Sequence, residues 1–415
     1  MRSATYRVPD LVLTEHTFSV PLYHGDPTSE PIEVFAREVV AAGRESDDLP
    51  WLLFLQGGPG FEAARPLRRH TPDWLDRALR EFRVLLLDQR GTGRSSPVGP
   101  NDVVTHGPAG LAARLVHFRA GSIVRDAEQV RRELGVERWG VLGQSFGGFC
   151  IVSYLSMHPE SLSLALITGG LPPLDRSIDE VYTATYRRTA DKVARHYARY
   201  PADRARVRSI VDRLAADDVR LPSGDRLTPR RFRQLGSLLG TGDGSERLHF
   251  VLELPAGSPA FLYEVAGAMS FARNPLYAVV HESCYSPGLP THWAAERLLP
   301  AEYAADPTLL TGEHVYPWMF AEYSGLAPFA ETAELLAAHE WGPLYDLQRL
   351  AANEVPTAAA IYAEDMYVER EFAEETGARI QGLRPWVTNE YEHDGLTMDG
   401  GRVLGRLLDL ARDRL

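Results

Sequence analysis

Four short runs of Leu, Val, Ile and aromatic residues, at 51–55, 84–87, 139–142 and 164–168, each close on a turn that contains glycine. Runs that are apolar throughout, rather than alternating, are what strands covered on both faces look like. Several of them separated by helices lead to a parallel sheet packed between helical layers. The stretch 149–157, ended by His158-Pro159, supplies a helix between the third and fourth runs. A preceding pair, 14–20 and 32–40, reads as an antiparallel hairpin at one edge, turned by Gly25-Asp26-Pro27. The fold class is α/β.

After Gly169-Gly170-Leu171-Pro172-Pro173 the pattern changes. From about 178 to 343 buried-strand runs give way to helical spacing. The segment 179–200 places Val181, Tyr182, Tyr186, Ala190, Val193 and Tyr197 at helix-like intervals before Pro201, and 209–216 and 229–239 look similar. Strand texture returns at 356–362 and 386–388. The segment 403–415 sets Val403, Leu404, Leu407, Leu408 and Ala411 on one face of an amphipathic helix. An insertion into one sheet explains this order better than three consecutive domains. The expected organisation is an α/β core from residues 1–172 and 351–415, split by a mainly helical cap at 173–350. A chain of 415 residues is long enough for both.

Composition removes several kinds of chemistry. The net charge of −12 argues against nucleic-acid binding, which calls for a basic face. Lys192 is the only lysine, so a phosphate loop ending in Gly-Lys-Ser/Thr is excluded, and a Schiff-base enzyme would have to use Lys192. Two cysteines, Cys150 and Cys284, cannot build a cysteine-rich zinc site. No His-Glu-x-x-His spacing occurs, and no metal or cofactor is expected. The opening Met1 to Asp10 lacks the apolar core of a signal peptide, and no apolar run reaches membrane-spanning length. A reduced, cytoplasmic, soluble protein without a membrane partner is the expectation.

The sharpest local signal is Gly143-Gln144-Ser145-Phe146-Gly147. A Gly-x-Ser-x-Gly string is weak alone, but here a strand enters it and a helix leaves it. This is the setting that exposes a nucleophilic serine on a sharp turn, with the two glycines letting strand and helix approach. An acyl-transfer serine needs backbone donors for the developing oxyanion. The amide of Phe146 is the first candidate. The loop Gln56-Gly57-Gly58-Pro59-Gly60 supplies the second, with Gly57 preferred and Gly58 the alternative. The acid and base should follow the serine in the order Asp or Glu, then His. Of 13 histidines, only His393 lies in the returning α/β block after a strand, and Asp365 follows the strand at 356–362, preferred over Glu364 and Asp394.

Taken together, Gln56-Gly57-Gly58-Pro59-Gly60, Asp88-Gln89-Arg90-Gly91-Thr92-Gly93 and Gly143-Gln144-Ser145-Phe146-Gly147-Gly148 resemble, in this order, the prolyl aminopeptidases (proline iminopeptidases) of the α/β-hydrolase fold. Asn274-Pro275-Leu276-Tyr277, His281-Glu282-Ser283-Cys284-Tyr285, Pro317-Trp318-Met319-Phe320 and Asp365-Met366-Tyr367-Val368 look like the larger members, so the resemblance touches nearly the whole chain. Gln56 departs from the smaller members, which usually carry histidine there. The resemblance implies release of an N-terminal proline from small peptides, with Ser145, Asp365 and His393 as the triad and no metal.

It also implies a cap glutamate that reads the free amine. Glu282 is the best match and Glu313, in Gly312-Glu313-His314-Val315-Tyr316, the second candidate. Gly58, Tyr285, Trp318 and Phe320 are candidates to line the slot for the proline ring. Asp88 and Arg90 read as a structural pair bracing the glycine loops, Cys150 as packing, and Cys284 as a point where a thiol reagent would block the pocket. The same triad also fits an esterase, a lipase-like hydrolase or a tripeptidyl aminopeptidase. A silent relative acting as a binding module is a further alternative, although no triad or oxyanion element is missing.

Overall fold

The computed structural model describes every residue except Pro27, Pro287 and Leu415. The turn read over Gly25-Asp26-Pro27 and the helix read to Leu415 therefore fall partly outside the described residues. Nine strands form one sheet: β1 (Arg2–Val8), β2 (Leu11–Pro21), β3 (Pro31–Ala41), β4 (Trp51–Leu55), β5 (Arg83–Asp88), β6 (Trp139–Gln144), β7 (Leu162–Thr168), β8 (Thr357–Tyr362) and β9 (Leu383–Thr388). Their spatial order is β1-β2-β3-β5-β4-β6-β7-β8-β9, antiparallel from β1 to β5 and parallel from β5 to β9.

The apolar runs become the parallel strands because both of their faces are covered. Leu53, Leu55, Val141 and Ile167 point into one core, beneath the helices Ala120–Glu133 and Phe146–Met157. Leu52, Phe54, Leu142 and Leu166 point into the other, beneath Trp74–Leu79 and Gly400–Ala411. Each such side chain removed from water contributes about 1.5–3 kcal/mol, which fixes strand register on both faces. The hairpin β2–β3 forms in antiparallel register, but it is not the edge. β1 pairs outside it, and nearly every β1 side chain is exposed, so the strand carries no apolar signal and escapes a reading based on hydrophobic pattern.

Between Thr168 and Thr357 the described residues form helices, loops and one isolated bridge, Arg220 to Arg226. The first helix, Ile178–Arg199, starts at a capping box in which Ser177 and Glu180 satisfy each other's backbone amides. The stretch read as helical over 229–239 is an α-helical turn, Pro229–Arg233, that tightens into the 3₁₀ segment Gln234–Gly240. Gly236 lies against the Leu310–Thr311 backbone and Gly240 against the Tyr367 ring, and that crowding accompanies the tighter winding. No helix among the described residues is long and apolar enough to cross a membrane.

Strand order also positions the chemistry. The chain leaves β4 toward β5 on one side and returns to β6 on the other, so the loops after β4 and β6 lie side by side at the switch point of the sheet. The loop after β5 braces them, though not through an Asp88–Arg90 pair. Arg90 is fully buried and forks onto Asp126, with Nε donating to Oδ2 at 2.7 Å and Nη1 donating to the carbonyls of Leu22 and His117. The Asp88 carboxylate accepts the Arg94 amide at 3.0 Å, and burial lifts its pKa to about 6. The brace on the glycine loop is the residue between them: Gln89 Nε2 donates to the Gln56 carbonyl at 2.9 Å. An Asp126→Ala variant leaves the Arg90 charge buried and unpaired. Its unfolding free energy in urea should fall by about 3–5 kcal/mol.

Candidate active site

Ser145 stands between β6 and the helix Phe146–Met157 with φ 53° and ψ −123°. Few non-glycine residues hold a positive φ, and one that does is held by its surroundings. Its amide donates to Thr168 O on the neighbouring strand at 2.9 Å, and its carbonyl accepts the Gly148 amide at 2.8 Å. Gly147 makes this possible. A Cβ there would sit 1.9 Å from the carbonyl oxygen of Leu55, so only glycine lets the helix start against the end of β4. As the first helical residue, Phe146 has an amide with no intrahelical acceptor. A Cβ on Gly57 would lie 3.1 Å from Ser145 Cβ and 3.7 Å from its Oγ, so the glycine loop passes over the nucleophile side chain.

Asp365 and His393 follow β8 and β9, the second and third strands beyond β6 in the sheet. His393 Nδ1 lies 2.6 Å from Asp365 Oδ2, while Asp365 Oδ1 accepts the amides of Tyr367 at 2.8 Å and Val368 at 3.0 Å. With Nδ1 donating to the carboxylate, Nε2 is left as the proton acceptor. Both side chains are buried. Burial works against the imidazolium, but the Asp365 charge outweighs it, with Glu313 and Asp394 adding. His393 is lifted above the ordinary histidine value. The Tyr367 ring meets His393 edge-on at 4.9 Å.

A cavity of about 270 Å³ reaches toward this pair through the Tyr367 ring, although Ser145, Asp365 and His393 are not among the residues that line it. Glu313 lies on its wall with Tyr277, Tyr367, Phe271 and Phe61. Tyr277 donates its hydroxyl to Glu313 Oε1 at 2.6 Å. Burial pushes the Glu313 carboxyl up to about 7, against that hydrogen bond and the pull of His393. The turn that carries it is fixed by His314, whose Nδ1 accepts the Gly312 amide at 3.2 Å, whose Nε2 meets Thr185 Oγ1 at 3.0 Å, and whose ring stacks on Tyr186 at 4.0 Å.

The structure separates the two candidate glutamates. Glu282 is turned into a different cavity of about 20 Å³ beside Thr291, Trp293 and Trp341. There its Oε1 accepts the Ala295 amide at 3.0 Å, and its Oε2 has no hydrogen-bond partner among the described residues. Tyr285 does not line that cavity: its ring lies edge-on to Phe149 at 5.5 Å, and Phe149 is 6.2 Å from Phe146, the residue after the serine. Gly58 stays in the glycine loop, at φ 131° beside the Phe61 ring. Trp318 and Phe320 do not line the cavity. Trp318 is covered by Tyr316 at 5.4 Å and the Arg230 guanidinium at 4.6 Å, and Phe320 packs on Trp293. Both are packing aromatics. Cys150 and Cys284 are buried, and burial pushes the Cys284 thiol up to about 12, so it is no ready target for a thiol reagent. Tyr277 and Tyr367 are site residues that sequence reasoning missed. Both lie in quoted motifs, but nothing in their spacing says what their rings would meet. Among the described residues no three His, Cys, Asp or Glu side chains are grouped to hold a metal ion.

The family model of the α/β hydrolase fold matches residues 50–264. A proline iminopeptidase of Aeromonas sobria is 47% identical over the full length of both chains. A proline iminopeptidase of Aspergillus aculeatus is 35% identical over 97% of this chain and 94% of its own. A proline iminopeptidase of Neisseria gonorrhoeae is 32% identical over 30% of this chain and 33% of its own.

The contact at Gly147 gives a direct test. Gly147→Ala forces the β4 end and the helix start apart, and should cost about 1–3 kcal/mol in urea unfolding. Gly401→Ala, where a Cβ meets nothing closer than 3.9 Å, should leave stability unchanged or slightly raised.

Proposed function

Because the chain belongs to the proline iminopeptidase family of the α/β-hydrolase fold, we propose that it is a serine exopeptidase that releases an N-terminal proline from peptides. Residues 1–172 and 351–415 make the catalytic core, and residues 173–350 make a cap that supplies amine recognition. The single observation that carries this reading is the placement of Glu313, a buried carboxylate on the cavity wall whose charge acts on the Asp365–His393 pair.

In the first half-reaction Ser145 Oγ attacks the prolyl carbonyl while His393 Nε2 takes its proton. The oxyanion accepts hydrogen bonds from the Gly57 and Phe146 amides. Asp365 holds the imidazole in the useful tautomer and stabilises its cation. The proton then passes to the departing amine nitrogen, the peptide leaves, and proline remains as an ester on Ser145. Water attacks that ester with His393 again as base, releasing proline and restoring the serine.

Glu313, oriented by Tyr277, pairs with the secondary ammonium of the substrate. An acyl group on that nitrogen removes the charge and leaves the carboxylate unpaired, which penalises blocked peptides. The ring then rests against Tyr285 and Phe146, whose flat faces suit a pyrrolidine.

Hydrolysis of a proline arylamide, an N-acetylproline arylamide and a short acyl ester tests the assignment. The free proline substrate should be strongly preferred. Preference for the ester, or indifference to the acetyl group, overturns it. Ser145→Ala should lower kcat/KM by at least about 10⁴-fold. Glu313→Gln should lower kcat/KM for the free substrate by about 10- to 100-fold while changing the blocked one little. If Glu282→Gln has that effect and Glu313→Gln does not, the amine site is elsewhere.

The pH dependence has a definite sign. Protonated His393 cannot take the serine proton, so kcat/KM falls on the acid side, and the Asp365 charge beside it puts that limb higher than an ordinary histidine would. Glu313 is one cause of that rise. Its removal in Glu313→Gln should therefore move the acid limb to lower pH.

A further inference from the structure

The acid and base stand on two loops that leave the paired ends of β8 and β9, where the Ala363 amide donates to Thr388 O at 2.8 Å, and His393 lies five residues beyond that last contact. The acid and the base are each preceded by a glutamate: Glu364 before Asp365, and Glu392 before His393. Both reach the same helix. Glu364 pairs with Arg195 and Glu392 with Lys192, while Glu369, four residues past Asp365, takes a two-pronged contact from Arg188 at 2.6 and 2.9 Å. Arg188, Lys192 and Arg195 are spaced four and three apart, so they form one stripe along Ile178–Arg199.

We propose that this helix acts as a splint that sets the acid loop and the base loop against each other, and that Lys192 is the positioning residue that holds His393 through Glu392. The proposal rests on the triad reading above.

The three contacts differ in weight. Arg195 and Glu364 are 59% and 34% exposed, and an ion pair so open to water adds little. Glu369 is fully buried. Burial disfavours its charge, but the Arg188 fork outweighs burial and holds the carboxyl below its usual range. Lys192 is 8% exposed and faces Glu392, whose carboxyl burial pushes up while Lys192 pulls it down. A pair this dry is costly to break and fixes geometry more than it stabilises.

The rest of the base loop is tied to the 3₁₀ segment Gln234–Gly240 and the turn after it. The His393 amide donates to Gly240 O at 3.1 Å, and Asp394 Oδ1 accepts the Gly242 amide at 2.9 Å. Lys192 is therefore the side chain that ties this loop to the helix that also holds the acid loop. Loss of the tie lets His393 drift from Ser145 without disturbing the cavity where Glu313 lies. The effect belongs in kcat.

Steady-state kinetics on a proline arylamide test this with Lys192→Met, Lys192→Arg, Glu392→Gln and the Lys192→Met/Glu392→Gln double variant, beside Ser145→Ala. A displacement of about 1 Å can cost about 10²-fold. Lys192→Met should lower kcat by about 10- to 100-fold with KM within about threefold. Lys192→Arg, which keeps the charge, should recover most of the loss. The double variant should be no worse than the worse single variant, because both break one contact. Should Lys192→Met fail to fold, Glu392→Gln reads the same contact from its more exposed side. Wild-type kcat in the single variants, a loss confined to KM, or multiplicative losses in the double variant would each overturn the splint. If Ser145→Ala keeps activity, the triad reading itself fails, an outcome separate from unaffected Lys192 variants beside an inactive Ser145→Ala.

Discussion

Ser145 is held in a backbone conformation that an L-residue adopts at a cost of about 1–3 kcal/mol, and much of the core is arranged around that cost. The strain is carried by three strand ends. β7 takes the Ser145 amide, β4 lies against Gly147, and β6 delivers the chain into the turn. Buried apolar side chains on both faces hold those ends in register, so the sheet cannot relax to relieve the elbow. The position of Ser145 at this turn is a consequence of that rigidity. The glycine loop after β4 then passes over the serine because strand order puts β4 beside β6.

Electrostatics give the site its direction. Asp365, Glu313 and Asp394 all act on His393 with the same sign, in a region sheltered from water. Such a pocket favours a cation, whether it is the imidazolium formed during reaction or an ammonium brought in by a ligand. Glu313 carries a second consequence of burial: its carboxyl lies near 7, so its charge is sensitive to what sits opposite it.

Much of the framework was legible in the sequence. The apolar runs at 51–55, 84–87, 139–142 and 356–362 fall on β4, β5, β6 and β8 because strands covered on both faces advertise themselves by composition. β1 was not legible, since all its backbone partners lie on one side and its side chains face water. The order of Ser145, Asp365 and His393 could be read because each follows a strand. The glutamates could not be ranked in the same way. Glu282 and Glu313 both stand beside a histidine and close to a tyrosine in the sequence, and only three-dimensional packing places one where its charge acts on His393 and the other on the Ala295 amide. Trp318 and Phe320 show the same limit, because an aromatic near a motif looks alike whether it faces a cavity or an arginine. The Asp88–Arg90 reading failed for a different reason. The chain turns directly after Asp88 at the end of β5, and Arg90 found its carboxylate 36 residues further along.

The direction of synthesis gives the anchoring of the two late loops another meaning. A chain made from its N-terminus completes the serine turn, the glycine loop and the Ile178–Arg199 helix well before residues 364–394 exist. The surfaces that receive the acid and base loops are all encoded upstream of them, at Arg188, Lys192, Arg195, Gly240 and Gly242. β8 and β9 therefore emerge onto a bed already laid down. In a growing chain Ser145 is therefore made, with the helix that will receive both loops, before more than half of the sequence has followed to supply Asp365 and His393.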